Sequence, residues 1–122
     1  MAPEVYRVMH FFGIMLLFLS LGGASLHSLN GGTRDTNDSR RWMFISHGIA
    51  MLLILVAGFG LLAKYKIPMG ESPWVWGKLA LWFVLGGLIV LVQRVPAVAR
   101  AMWIVLPALG AVAAYLAVAK PG

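Results

Sequence analysis

The sequence has no cysteine and few charged residues. Its 122 residues include four acids and ten lysines and arginines, and charged residues make up 11% of the chain. Without cysteine the chain cannot form disulfide bonds, thiolate metal sites, iron–sulfur clusters or the covalent link to a c-type haem. The acids lie outside the long apolar runs, at Glu4, Asp35, Asp38 and Glu71. This distribution argues against a transporter that uses buried carboxylates to carry protons or sodium ions.

Apolar residues dominate the rest of the sequence. Hydrophobic residues make up 61% of the chain, and its mean hydropathy is +0.86. A small water-soluble fold leaves much of its surface exposed and cannot hide this much apolar surface, so we expect the chain to lie in a lipid bilayer. Its formal charge of +6 is spread over several loops, where it favours contact with anionic lipid headgroups. The sequence has no basic stripe of the kind that binds nucleic acid.

Four apolar runs are long enough to cross a membrane as helices, since a helix needs roughly 20 apolar residues to do so. They cover about residues 5–29, 42–64, 74–93 and 97–119. The first run is too long for a typical signal peptide, and we interpret it as a retained span. Because the connections are short, neighbouring helices should be antiparallel. The sequence therefore predicts a single all-α domain over residues 1–122, a polytopic transmembrane four-helix bundle with up-down-up-down topology.

Residues that typically start or end helices flank the runs. They are Asn30-Gly31-Gly32 after the first run, Asp38 or Ser39 before the second, Ser72-Pro73 before the third and Pro96 before the fourth. Within the fourth run, Pro107 should kink the helix because it removes a backbone hydrogen-bond donor. The lysines and arginines divide five and five between the two predicted ends of the bundle. The positive-inside rule therefore does not set the orientation.

Two runs show where helices should pack. In lipid, helices associate through small residues and occasional polar bonds. Helical spacing in the first run predicts an inward-facing stripe, which comprises His10, Gly13, Leu17, Ser20, Ala24 and His27. The fourth run is rich in small residues, among them the pairs Gly110–Ala114 and Ala113–Ala117. These pairs lie on two adjacent faces and predict two packing partners, one of which can be another protein.

The three histidines are the candidates for chemistry. His10 and His27 lie 17 residues apart, roughly 25 Å along a helix, and cannot share one ligand. His27 and His47 lie at the same predicted membrane face, and the pair can hold one metal or haem iron between antiparallel helices. His10 lies at the depth of Lys78, and these two can hold a porphyrin through its iron and a propionate. In the simpler interpretation, each histidine hydrogen-bonds to a neighbouring helix or lies among the headgroups, and Lys78 extends toward them.

Two short motifs resemble a known family. The segments YRVMHFFG (residues 6–13) and WVWGKL (residues 74–79) resemble the first and third helices of the HemJ-type membrane protoporphyrinogen oxidases. The resemblance implies a haem b-binding helical bundle in a bacterial cytoplasmic membrane, with His10 as an axial ligand and Lys78 as a functional cation. The chain departs from the family at Gln93-Arg94-Val95-Pro96, where the family has an Asn-Glu-x-Pro motif.

The sequence favours two functions. The first is a small accessory subunit that packs into a larger membrane assembly, such as a redox or energy-transducing complex, or onto itself through its glycine- and alanine-rich faces. The second is a haem b-binding redox protein or HemJ-like oxidase that uses His10 and Lys78, with His27 and His47 as further candidate ligands. The shortage of catalytic groups favours the first function, in which the chain is not an enzyme. An absorption spectrum distinguishes the two, because bound haem gives a Soret band.

Overall fold

The computed structural model of the protein describes residues 2–32 and 40–120. These residues form four α-helices, which are α1 (Pro3–Leu29), α2 (Arg40–Lys64), α3 (Pro73–Arg94) and α4 (Pro96–Ala119), with a short 3-10 turn at Met69–Glu71 before α3. Each of the four helices is long and apolar enough to cross a membrane. The predicted all-α, four-span architecture is confirmed, and the predicted helix ends differ from those in the structure by at most two residues.

Neighbouring helices are antiparallel. Along α1 and α2, His10 lies beside Ile54 and Gly23 beside Met43, so rising residue numbers on α1 meet falling numbers on α2. Between α2 and α3 the corresponding contacts are His47–Leu85 and Met51–Trp82. Between α3 and the end of α4 they are Gly77–Leu116 and Trp74–Lys120. Helix α1 contacts α4 through Phe18 and Gly110. We call the end of the bundle with Pro3 and Ala119 the terminal end and the opposite end the loop end.

The first helix lies at the centre of the bundle. It contacts each of the other three helices, and α2 most extensively, whereas no contact joins the described residues of α2 and α4. Leu17 and Leu21 of α1 are almost completely buried. They form the core together with residues of α3, among them Leu85, Ile89 and Val92. The core therefore depends on α1 and α3, with α2 and α4 on either side.

The stripe predicted on the first helix faces this core. Its members from His10 to Ala24 are buried, and His27 is half-buried. The opposite side of α1 exposes large apolar side chains, including Phe12, Met15 and Leu19. Because a membrane surrounds helices with acyl chains, this polarity is the one expected for a span whose small and polar residues pack against other helices.

The bundle buries several serines and exposes many large apolar side chains, unlike a water-soluble protein. Ser20 and Ser25 are buried, and their hydroxyls donate to the carbonyl oxygens of Leu17 at 2.8 Å and Leu21 at 2.7 Å. Meanwhile Val118 is 86% exposed. Buried serines that bond within their own helix act as small residues with no unpaired hydroxyl. The fold is therefore that of a small integral-membrane protein.

The helix ends agree with the sequence in part. Gly31 follows α1 with a φ of 83°, as expected for the glycine-rich end of that helix, and α4 begins at Pro96. Ser72 is the N-cap residue of α3 and Pro73 follows it, as expected from the sequence, although the Ser72 side chain makes no capping bond. Its hydroxyl donates instead to the carbonyl oxygen of Pro68 at 2.6 Å, within the preceding turn.

Two other expectations concern proline and the start of the second helix. The fourth helix continues through Pro107 without a break. The predicted caps Asp38 and Ser39 lie outside the described residues.

Candidate functional site

His10 contacts the second helix from the stripe of α1. The side chain is buried, and its Nδ1 lies 3.1 Å from the carbonyl oxygen of Ile54. Because a carbonyl only accepts, Nδ1 carries the hydrogen, and the neutral ring has a lone pair at Nε2. Within the described residues Nε2 has no hydrogen-bond partner. Metal-bound histidines show this arrangement, with one ring nitrogen donating to a carbonyl and the other bound to the metal.

Lys78 approaches His10 from the third helix. It lies near the start of α3, is half-buried and is close enough to His10 for its ammonium charge to act on the ring. Lys120, just after α4, acts on Lys78 in the same way, and its Nζ lies 5.5 Å from the centroid of the Trp74 ring. Lys78 thus lies within electrostatic reach of both His10 and Lys120 at the terminal end.

His27 and His47 do not meet across the first two helices. The antiparallel register places Tyr6 beside Gly60 and Gly23 beside Met43, so His27 lies about eight residues from the level of His47, or roughly 12 Å along the axis. The sequence had suggested a difference of only a few ångströms. The His27 ring lies against Gly32 instead. A single iron between these two histidines has no support in this geometry.

His47 instead belongs to a pair of bonds between the second and third helices. Its Nε2 donates to the carbonyl oxygen of Leu85 at 3.3 Å. In the reverse direction, Nε1 of Trp82 on α3 donates to the carbonyl oxygen of Met51 on α2 at 2.9 Å. The simpler interpretation of the sequence, in which a histidine bonds to a neighbouring helix, therefore describes His47. In the described part of the chain, no group of three or more metal-ligating residues comes together.

The structure also shows a residue that the sequence did not single out. Gln93, in the last turn of α3, is buried, and neither its Nε2 nor its Oε1 has a hydrogen-bond partner. It lines a cavity of about 190 Å³ at the loop end, together with Phe44, Val90 and Arg94. One sequence feature could have indicated its burial, since Gln93 lies one turn beyond the buried Ile89 on the same face of α3.

A larger open groove separates the first and fourth helices. Its volume is about 440 Å³, and it is lined by Phe18, Gly22, Ser25, Leu26, Met102, Trp103, Leu106 and Pro107. Neither His10 nor Lys78 lines this groove or the cavity at Gln93. The lining of the groove is almost entirely apolar, as expected for a surface that acyl chains fill.

No family model matches the sequence, and no curated protein or solved structure is detectably similar to it. The resemblance to the protoporphyrinogen oxidases therefore depends only on the two motifs at residues 6–13 and 74–79. The fold and its polarity define the class of protein, a small four-helix integral-membrane protein. Any more specific function has to be argued from the contacts described above.

Proposed function

We propose that the chain is a small integral-membrane subunit whose fourth helix packs against a transmembrane helix of another subunit or of a second copy. One observation carries this proposal. The buried residues of α4 are Ala99, Met102 and Leu106, and all of them precede Pro107. The half of α4 after Pro107 contains no buried residue. Half of a transmembrane helix is therefore left with a surface available for another protein.

The composition of this surface favours a helix over lipid as its neighbour. Ala101, Ala108 and Ala111 are all exposed and share one face of α4 at helical spacing, together with the larger side chains of Ile104 and Tyr115. On the exposed face of α1, by contrast, the side chains are large, such as those of Met15 and Leu19. Large side chains fill space among mobile acyl chains, whereas alanines let a second helix backbone come close. We call Ala101, Ala108 and Ala111 the alanine face.

The other small-residue face of the fourth helix is already occupied within the chain. A Cβ atom added at Gly110 would lie 3.0 Å from Cε2 of Phe18 on α1. Gly110 thus accounts for one of the two packing partners expected from the sequence. The sequence assigned the second partner to the pair Ala113–Ala117, both of which are half-buried. We assign that partner to the alanine face instead.

Replacing an alanine of this face tests the proposal. Ala111→Leu should convert the complex to the monomeric bundle without unfolding it, because the side chain is exposed and leucine blocks close helix approach. The full chain is purified in mild detergent from its native membrane. Light scattering then gives the mass of the complex and its subunit stoichiometry. Ala80→Leu, at an exposed alanine of α3, is the matched control and should leave the complex intact. A wild-type chain that is monomeric both in detergent and in nanodiscs would contradict the proposal.

Binding of haem b is the second candidate function, and His10 favours it. Its Nδ1 bond to Ile54 leaves Nε2 for iron, and Lys78 lies nearby to contact a propionate. These donor groups fit haem b. Neither of the two cavities described above is lined by His10. When bound, haem b would supply one-electron chemistry at its iron, and the protein would hold it through the imidazole of His10 and the ammonium group of Lys78.

An absorption spectrum tests this second candidate. The purified wild-type chain should show a Soret band, and His10→Ala should lose it while retaining its helical circular dichroism. His47→Ala is the control, because the Nε2 of His47 already donates to Leu85, and this variant should keep the band. A colourless wild-type protein after expression with an adequate haem supply would rule the candidate out.

A further inference from the structure

The buried amide of Gln93 is the strongest unexplained feature of the bundle. The side chain is 8% exposed, and both of its polar atoms lack a hydrogen-bond partner. Buried polar groups are almost always paired, because a buried amide without a partner has lost its bonds to water and gained none. Gln93 lines the adjoining cavity, so a group that enters this cavity pairs the amide once the side chain turns toward it.

The cavity limits the size of that group. Its volume is about 190 Å³, which is the space of roughly six water molecules at the density of the liquid. Sites for drug-sized ligands start at about 300 Å³, so the cavity is small for a porphyrin or for a quinone with its ring system. It suits a compact polar group attached to a larger molecule outside.

The cation beside the cavity indicates that the bound group is an anion. Arg94 is the last residue of α3 and lines the cavity next to Gln93. In the described part of the chain, the basic residues at the loop end are all arginines, namely Arg40, Arg41, Arg94 and Arg100, whereas four of the five at the terminal end are lysines. Guanidinium binds phosphate through two parallel hydrogen bonds, and ammonium does so only as a point charge. Phosphate is therefore the anion that this end of the bundle is best suited to recognise.

We propose that the cavity at Gln93 binds the glycerol phosphate headgroup of an anionic phospholipid, such as phosphatidylglycerol. The phosphate accepts hydrogen bonds from Arg94 and from Nε2 of Gln93, and a glycerol hydroxyl donates to Oε1 of Gln93. Both orphaned atoms are then paired. Val90 and Phe44 contact the apolar part of the lipid. The last turn of a transmembrane helix lies at the depth of the headgroups, so a lipid reaches this position from its own layer.

Lipid binding to variants of the full chain tests this proposal. Phosphatidylglycerol and phosphatidylcholine are titrated into the detergent-solubilised protein, and bound lipid is counted by native mass spectrometry. The wild type should bind one phosphatidylglycerol roughly tenfold or more tightly than phosphatidylcholine, as expected for charge-assisted hydrogen bonds. Gln93→Leu and Arg94→Gln should each lose this preference. Arg100→Gln removes an exposed arginine of the same end outside the cavity lining and should keep it.

A second measurement tests the role of the amide through the direction in which the Tm changes. In nanodiscs of phosphatidylcholine alone, Gln93→Leu should raise the Tm above that of the wild type, because leucine removes an unpaired buried amide. Adding phosphatidylglycerol should raise the Tm of the wild type and leave that of Gln93→Leu unchanged. Arg94→Gln changes an exposed side chain and still decides the question if the leucine variant does not fold.

Three results would overturn the proposal. The first is equal affinity of the wild type for the two lipids. The second is a loss in Arg100→Gln as large as that in Arg94→Gln, which would indicate attraction by surface charge alone. The third is stabilisation by inorganic phosphate, in phosphatidylcholine nanodiscs, as large as that by phosphatidylglycerol. That result would assign the cavity to free phosphate.

Discussion

Glycine at position 13 lets the first helix approach the second. A Cβ atom there would lie 3.0 Å from Cγ1 of Ile54 and 3.2 Å from the carbonyl oxygen of Ala50. At Gly86 a Cβ atom would come closer to a neighbour, 2.7 Å from Cε of Met51. The shorter distance is the less costly one, because the end of a methionine can turn away whereas the backbone of a packed helix cannot.

We therefore expect Gly13→Ala to be more destabilising than Gly86→Ala. The first substitution should lower the free energy of unfolding by about 1–3 kcal/mol, as overpacking of a tight interface does, and the second should have a smaller effect. Thermal unfolding in detergent, followed by circular dichroism, measures both. If Gly86→Ala proves the more destabilising of the two, the Met51 side chain is more constrained than its flexibility implies.

The candidate site shows which residue-level features a sequence can and cannot supply. The burial of His10 and its depth beside Lys78 follow from helical spacing and from the lengths of the spans. The carbonyl that each histidine uses does not, because Ile54 and Leu85 bond through backbone atoms that every residue has. Gln93 was overlooked since an amide next to Arg94 at a helix end is typical of the membrane interface. Its burial depends on how α3 packs against the rest of the bundle.

At the level of helices, two reciprocal hydrogen bonds join the second helix to the third. Among the pairs of α-helices in contact, these two make the least extensive contact. His47 donates from α2 to α3, and Trp82 donates from α3 to α2. On each helix the donor lies about one helical turn from the acceptor, His47 from Met51 and Trp82 from Leu85. Polar bonds thus take over part of the role that close packing has elsewhere in the bundle.

Removing either donor should weaken this contact measurably. His47→Leu and Trp82→Phe should each lower the free energy of unfolding by about 0.5–1.7 kcal/mol, the range for hydrogen bonds between transmembrane helices. Trp103→Phe, at a tryptophan of α4 that is 69% exposed, is the control and should have little effect. The double variant should lose less than the sum, since the bonds are adjacent and share one interface. Full additivity would show that the two bonds act independently.

The positions of the helix ends were the most predictable features, and the hydrogen bonds of the side chains at those ends were the least predictable. Glycine after α1 and proline at the start of α4 act through their own backbone conformations, which neighbours do not change. Ser72 lies at the expected N-cap position of α3, but its hydroxyl donates to the carbonyl oxygen of Pro68 in the preceding turn. Local chemistry thus fixes where each helix stops, and tertiary contacts decide which side chains bond there.

For the molecule as a whole, the antiparallel order places the two kinds of connection on opposite sides of the membrane. Asn30, after α1, lies at the loop end, whereas Gly70, between α2 and α3, lies at the terminal end together with Lys120. The five-to-five division of basic residues leaves open which side is which. The absence of native cysteine makes the question simple to address, because any introduced thiol is the only one.

Single introduced cysteines should therefore show which positions lie on the same side of the membrane. In sealed vesicles, a membrane-impermeant maleimide should label Gly70→Cys and Lys120→Cys alike and Asn30→Cys oppositely. A Cβ atom at Gly70 meets nothing within 4 Å, so this substitution is sterically tolerated. Labelling after detergent lysis is the control for reactivity at all three positions. Equal protection of Asn30→Cys and Gly70→Cys would mean that one of the first two helices does not cross the membrane.

The central position of the first helix has a consequence for biosynthesis. Of the four helices, α1 leaves the ribosome first, and it is also the helix that every later one contacts. Each new segment released by the insertion machinery thus meets an established surface, and an early hairpin of α1 and α2 need not wait for distant parts of the chain. The finished contacts thus allow the helices to assemble in the order in which they are translated.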